Sequence, residues 1–264
     1  MMTRKFPDSA YGQLAVVLVS TRNPLNIGAV ARAMSNFGFS DLRVVDPYDV
    51  AFREARSAVG AGEVLNAARE YKTVAEAVAD CSLVVGTTAA RNRKLDYTVR
   101  TLKEGAGFIQ KAIRSGRAAV LFGSEKRGLS NHDLSYCHGL LRIPTGEDHP
   151  SMNLGQAVAV CLYELARGAA SATEGMVAPD LQATSPLERS QRGFAATQPA
   201  ATPGAELDRL ASILVEALES AAYPKAASTH DKVVRLVRRL NLSEPDTQLL
   251  SGMLRQMIWK MRAK

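Results

Sequence analysis

"LAVVLVSTRNPLNIGAVARAM", Leu14 to Met34, changes its period in the middle. The first six residues are an unbroken apolar run. A run without alternation marks a strand covered on both faces, the condition of strands in a parallel sheet. After a short polar loop, Ile27, Val30, Met34 and then Phe37 recur at helical spacing. A buried strand that feeds directly into a helix is the repeating unit of a doubly wound α/β domain. The other side of this helix carries Gly28, Ala29, Arg32, Ser35 and Asn36, small side chains around a single arginine. Glycine costs roughly 1 kcal/mol in a helix relative to alanine. An arginine in a surface salt bridge needs no such clearance, so Arg32 is a candidate functional residue.

The alternation continues to about Arg167. Strands are expected at 14–19, 42–46, 82–87, 118–123 and 139–143. Helices are expected at 26–37, about 57–67, 74–79, about 103–114 and 153–167. The last has a clear stripe of Leu154, Ala157, Val158, Cys161, Leu162 and Leu165. The fold class is therefore α/β, a doubly wound parallel sheet with its ligand beyond the carboxyl ends of the strands. Residues 168–204 are rich in Ala, Thr, Ser, Pro and Gln and have no sustained period, as a mostly flexible linker would. Helical periodicity returns in 205–264. One stripe is Leu207, Leu210, Leu214, Leu218 and Ala221; a second is Val233, Leu236, Val237 and Leu240; a third is Leu250, Leu254, Met257 and Met261. Ser243 followed by "EPD" reads as a capped start with proline in the first turn. The chain thus divides into an α/β domain over 1–167, a linker over 168–204 and a small all-α bundle over 205–264.

The 264 residues are 46% hydrophobic and carry a net charge of +7. A basic balance fits a polyanionic partner such as nucleic acid, though it equally fits a merely basic soluble protein. The excess is concentrated: residues 223–264 hold nine Lys/Arg against three Asp/Glu. "KVVRLVRRL" sets Lys232, Arg235, Arg238 and Arg239 around an apolar stripe, a pattern for a solvated helix face or, as favoured here, a phosphate-contacting surface. Cys81, Cys137 and Cys161 are odd in number and none are paired as C-x-x-C, which argues for a reducing compartment and against a zinc site. The first residues lack the apolar core of a signal peptide, and no run approaches a membrane span. A cytoplasmic protein is expected.

Two further stretches carry candidate chemistry. "FGSEKRGLS", Phe122 to Ser130, follows a strand directly, and its glycines would let the backbone approach a ligand closely. Gly123 and Gly128 are spaced like the start of a phosphate-binding P-loop, but Leu129 stands where the lysine must be. A nucleotide-hydrolysing protein is disfavoured on that ground. "IPTGEDHPSMNLGQAVAVCLYEL", Ile143 to Leu165, places Ser151 and Asn153 at the start of an apolar helix. Ser151 could be a plain N-cap there, or part of a ligand site at a strand's carboxyl end.

In this order, "NPLNIGAVARAM", "AVLFGSEKRGLS" and "LRIPTGEDHPSMNLGQAVAVCLYEL" resemble the three signature motifs of the SPOUT-class, or SpoU, RNA 2′-O-methyltransferases, over the region Leu14 to Arg167. "VVGTTAAR" and the C-terminal helices resemble, more loosely, the TrmJ-type branch, which methylates the ribose of nucleotide 32 in the tRNA anticodon loop. The resemblance implies a C-terminal trefoil knot within the α/β domain, which no periodicity reveals and which general folding rules disfavour. It implies S-adenosylmethionine as methyl donor, no metal, tRNA as substrate and a homodimer. Carried onto this chain, the donor would sit among Thr87, Thr88 and Ala89, then Leu121, Gly123 and Gly128, then Ile143, Pro150, Ser151 and Met152. Met152 stands where leucine is common in the family, a nearly volume-conserving exchange. Arg32, Asn26, Glu125, Ser151 and Asn153 would form the catalytic centre, with Arg32 also touching RNA. A guanidinium whose pKa exceeds about 12 makes an awkward base. Holding a phosphate and stabilising charge on the 2′-oxygen is the easier role. Two other readings stay open: a methyltransferase for a different tRNA or rRNA site, and a non-catalytic RNA-binding protein that kept the fold.

Overall fold

The computed structural model describes residues 11–48, 62–89, 97–146, 148, 150–174, 202–223, 226 and 228–263, with the side chains of the helix that starts at Leu154 described to Arg167. Seven strands form one all-parallel sheet in the order β3-β2-β1-β6-β4-β7-β5. They are β1 Leu14–Val19, β2 Asp41–Val45, β3 Arg69–Tyr71, β4 Leu83–Thr87, β5 Val99–Thr101, β6 Ala118–Phe122 and β7 Gly139–Arg142. Five of these match the expected strands within a residue or two. The edge strands β3 and β5 were not expected. Their sequences, REY and VRT, are three residues long and largely exposed, so they carry no apolar run to read.

The helices before the linker are α1 Pro24–Phe37, α2 Gly62–Asn66, α3 Val74–Ala77, α4 Leu102–Ser115, α5 Asn131–Ser135 and α6 Leu154–Glu174. The tail adds α7 Gly204–Ser220, α8 Thr229–Leu240 and α9 Glu244–Arg262. Of the helix expected at 57–67, residues 57–61 lie outside the described residues, as do 175–201 of the expected linker.

Successive residues of each strand point to opposite faces. Leu14, Val16, Leu18, Val120 and Phe122 face a core shared with α1, α2, α4 and α6. Ala15, Val17, Val19, Ala119 and Leu121 face a second core shared with α3, α5, α7 and α8. The tail therefore supplies much of the cover on the second face. Leu207, Leu210 and Ala211 of α7 and Val233, Val234 and Val237 of α8 are buried in it. Gly204 and Ala205 donate to the carbonyls of Cys81 and Ala79 at 3.0 and 2.9 Å, which ties the start of α7 to the segment before β4.

Two apolar stripes turn relative to expectation. In α8, Leu236 and Leu240 are exposed, and Val234 and Arg238 take the inward positions. The reason is that Arg238 is pulled inward by Asp208 of α7, at 2.6 Å. In α9, Met257 is exposed and Ile258 is buried in its place, four residues after Leu254. The expected cap at Ser243 is present: its hydroxyl accepts from the Asp246 amide, with proline in the first turn. Cys81, Cys137 and Cys161 are buried free thiols, and burial pushes each up to about 12, so they stay protonated. Among the described residues no helix is long and apolar enough to cross a membrane.

At the amino edge of the sheet lies a buried ion cluster. Asp41, at the start of β2, accepts from Arg43 at 2.8 Å, Arg69 at 2.8 Å and Arg117 at 2.9 Å. Arg43 also donates to Asp80 and to the Ala77 carbonyl, the latter at 2.6 Å. Burial alone would raise the Asp41 and Asp80 carboxyls; hydrogen bonds from the arginines outweigh it and hold both below their ordinary value of 3.8. A depressed carboxyl contributes stability above its unfolded value and loses it as pH falls through the folded value. Stability to urea should therefore fall away below about pH 3.8, and Asp41→Asn should flatten that acid limb. Arg43→Ala strands buried acceptors and should cost about 3 kcal/mol at neutral pH in the same measurement.

Candidate active site

The carboxyl ends of β1, β4, β6 and β7 converge on one region. The loop after β6 folds back on itself, with the Gly128 amide donating to the Ser124 carbonyl at 2.8 Å. Gly128 has φ of 65°, in the left-handed region that favours glycine. A Cβ placed on Gly123 would lie 2.0 Å from the Gly128 carbonyl carbon. Backbone packs on backbone here, and only glycine leaves room.

Three residues from distant stretches then form a hydrogen-bonded chain. Asn153 caps α6, its Oδ1 accepting from the amides of Gly155 at 2.9 Å and Gln156 at 3.4 Å. That acceptor role turns its Nδ2 away from the helix, where it donates to Asn26 Oδ1 at 2.8 Å. Asn26 is in turn obliged to present Nδ2 to Glu125 Oε1, at 2.9 Å. The backbone amides of one helix thus set the orientation of both side-chain amides and direct a donor at the carboxylate. Asn26, expected only as a site residue, is buried on α1, and Asn23 caps that helix through the Leu25 amide.

Two cavities adjoin this chain. The first, of about 480 Å³, is lined by Thr87 at the end of β4, Thr88 and Ala89 after it, and Gly123 and Gly128 after β6. Ile143, Pro150, Ser151 and Met152 after β7 complete the set expected from the resemblance. Leu121 does not line it; its side chain is buried in the second core and its carbonyl accepts from Thr87 Oγ1 at 2.9 Å. The second cavity, of about 710 Å³, is lined by Asn26, Arg22 and Asn23 on one side. Residues 124–128 form a wall common to both. Sequence reading missed Arg22, Lys126 and Arg127, exposed cations around the second cavity. Lys126 and Arg127 stand inside a quoted motif and Arg22 directly before another, so the signal was present, but nothing local separates a site cation from a surface one.

The expected catalytic residues divide. Asn26, Glu125 and Asn153 are bonded together, and Ser151 lines the first cavity. Ser151 is exposed and is not the cap of α6, since Asn153 holds that role. Arg32 is exposed on the outer face of α1 and lines neither cavity of this chain. The expected phosphate-contacting cations also divide. Lys232 and Arg239 are exposed, and the Arg235 guanidinium lies over the Tyr97 ring at 4.9 Å. Arg238 is 1% exposed, bonded to Asp208 and to the Gly204 carbonyl at 3.3 Å. It is an internal tie between α7 and α8, which corrects the expectation of an open phosphate contact.

The model of the SpoU rRNA methylase family matches residues 13–163, the strands and helices that carry all three motifs. The tRNA (cytidine-2′-O-)-methyltransferase TrmJ of Methanocaldococcus jannaschii is 41% identical over 155 residues, 58% of this chain and 66% of that protein. In that alignment the chain therefore spans just under two thirds of the relative's own length. The tRNA (cytidine/uridine-2′-O-)-methyltransferase TrmJ of Sodalis glossinidius is 33% identical over 248 residues, 91% of this chain and 89% of the relative, so that likeness extends through the tail. Among solved structures, TrmJ from Z. mobilis ZM4 superposes with a TM-score of 0.72 at 30% identity, covering 92% of this chain and 98% of that one. The chain belongs to the SpoU methylase family.

The geometry makes two substitutions informative. Gly123→Ala should force the 124–129 loop to move and cost about 1–3 kcal/mol in urea unfolding. Asn26→Asp would set a carboxylate against Glu125 in place of a donor, with a loss of about 1–3 kcal/mol. That loss should shrink in acid as one of the two carboxylates takes a proton.

Proposed function

We propose that this chain is an S-adenosylmethionine-dependent tRNA ribose 2′-O-methyltransferase acting at nucleotide 32 of the anticodon loop. The observation that carries the reading is the pair of adjoining cavities with the Glu125–Asn26–Asn153 chain at their junction. Group transfer between two bound molecules needs two seats side by side, and positioning supplies much of the rate. The names of the relatives support tRNA as the substrate class. Nucleotide 32 rests on the resemblance to the TrmJ-type branch alone.

The residues of the first cavity fit the donor. Its walls are mainly apolar, including Leu129, Leu141, Ile143 and Met152, with the hydroxyls of Thr87 and Ser151 among them. Such a lining suits a nucleoside ring and sugar, and the Gly123 clearance lets backbone lie against it. When bound, the donor supplies a methyl group on a positively charged sulfur that needs no further activation. The protein's task is then alignment. Asn26, fixed from behind by Asn153, holds the Glu125 carboxylate in one orientation beside both cavities. Arg22, Lys126 and Arg127 give the second cavity a cationic rim for a phosphate of the RNA strand. With donor and RNA bound, the 2′-oxygen would take the methyl group from the sulfur, and its proton would leave to a phosphate oxygen or water.

A homodimer is part of the proposal. The outer face of α1 and α6 carries Leu25, 79% exposed, and Tyr163, 54% exposed, beside Ala29 and Arg32. Covering that face with a second copy would let Arg32 serve the partner's cavities, as it does not serve its own. The trefoil threading belongs to the proposal and rests on the family resemblance; β7 does lie between β4 and β5 in the sheet, though both precede it in sequence. The tail would contribute to tRNA binding through Lys232 and Arg239. A cytoplasmic location goes with that substrate.

Donor binding is tested by calorimetry, where S-adenosylmethionine should bind and the demethylated product should compete; no heat at millimolar donor overturns the reading. Reverse transcription at limiting nucleotide should map the methylated ribose, and a stop elsewhere would move the target. Arg32→Ala should lower the single-turnover rate by about 10²–10³-fold with donor affinity kept. Arg32→Lys should recover part of it, lacking the planar fork. If the lysine variant's rate climbs with pH while the wild type stays flat, Arg32 is the base rather than a charge stabiliser. Full activity in the alanine variant removes Arg32 from the mechanism.

A further inference from the structure

A third cavity lies along the sheet edge, between β5, β7, α4 and the end of α8. It shares only Leu141 with the first cavity and no residue with the second. Arg100, Arg238 and Arg239 line it, and among the described residues no carboxylate does. Its volume, about 160 Å³, is below the roughly 300 Å³ at which sites for whole small molecules begin.

Its charged side chains are all guanidiniums, and the His138 ring stands beside them. Arg238 is 1% exposed, and its Nε and Nη1 are buried without a hydrogen-bond partner among the described residues. The positive charge of this buried guanidinium favours an anion in the adjoining cavity. Asp208 offsets one guanidinium; the cations of Arg100 and Arg239 remain without a carboxylate in the lining. His138 is held neutral, because burial and the nearby Arg238 charge push it down to about 3. Its Nδ1 accepts from the Val84 amide at 3.1 Å, so the proton sits on Nε2 and the ring is a donor at every physiological pH. Arg100 is pre-positioned over the Phe108 ring at 5.3 Å, which keeps its fork at the mouth.

We infer that this edge cavity is an oxyanion seat that takes a phosphoryl group, the backbone phosphate of the bound RNA being its source. Guanidinium forks match phosphate geometry in two directions at once. A neutral imidazole N–H adds a donor without adding charge. The position suits a second anchor for a long RNA: α8 brings Arg239 to the cavity and exposes Lys232 on the same face about two turns earlier. The RNA source rests on the proposed function, whereas the oxyanion chemistry does not.

The test uses the full chain and the double variant Arg100→Ala/Arg239→Ala, both surface positions that leave the Arg238–Asp208 tie intact. Inorganic phosphate is titrated while the His138 ring protons are followed by NMR. A saturable shift is expected in the wild type, weakened at least tenfold in the variant. In parallel, tRNA affinity is measured against salt concentration. The variant's slope of log K on log salt should fall by about 1, as expected when the protein neutralises one RNA phosphate fewer, with donor affinity unchanged. A saturable phosphate shift with an unchanged slope overturns the RNA source in favour of free phosphate. No saturable shift in the wild type overturns the site whatever the slope does, because Arg239 can touch RNA as a plain surface cation. Failure of tRNA methylation by the wild type would sink the proposed function while leaving the phosphate titration to decide the cavity.

Discussion

The hydrogen-bonded chain from Asn153 through Asn26 to Glu125 is the constraint on which the site depends. Asn153 and Asn26 are 127 residues apart, and Asn26 and Glu125 are 99 apart. Through these two bonds the first helix, the loop after β6 and the start of α6 become one unit. The chain has a direction because its first member is pinned by backbone amides that can only donate. A terminal carboxylate at the other end accepts, so no amide in the series can flip without losing two bonds. The two cavities owe their common wall to this, since the loop that separates them is the loop that carries Glu125.

The sheet supports that arrangement by being buried on both faces, and the tail is part of the cover. Leu207, Leu210, Val233 and Val237 fill the second core directly against Val17, Ala119 and Leu121. A strand order with β6 at the centre, between β1 and β4, puts the most buried strands under the site. The amino edge is closed by the Asp41 cluster, at the opposite end of the strands. Charge is thus used structurally at one end of the sheet and left open for ligands at the other.

Arginine shows how little residue type says on its own. Arg43 is buried as the hub of an ion cluster, and Arg238 is buried as a tie between two helices with donors to spare. Arg235 lies over an aromatic ring, while Arg22 and Arg127 stand at a cavity. Arg32 faces outward, away from both cavities of its own chain. The difference is made by what lies opposite each guanidinium, and that is a property of packing.

The apolar runs and helical stripes of this sequence determined the parallel sheet, its five long strands and most of the helices between them, though not the short α5, because burial on two faces writes a continuous pattern into local sequence. Nine of the ten residues expected around the donor line one cavity. The edge strands were illegible, since three largely exposed residues have no period. Only the tertiary structure decided that Asn153, the cap of α6, reaches Asn26, that α8 turns Arg238 inward and Leu236 outward, and that the tail covers the sheet. Each of those outcomes rests on a partner distant in the chain, Asn26, Asp208 or the second-face core, and an interaction across such a distance leaves no mark on the spacing of neighbours.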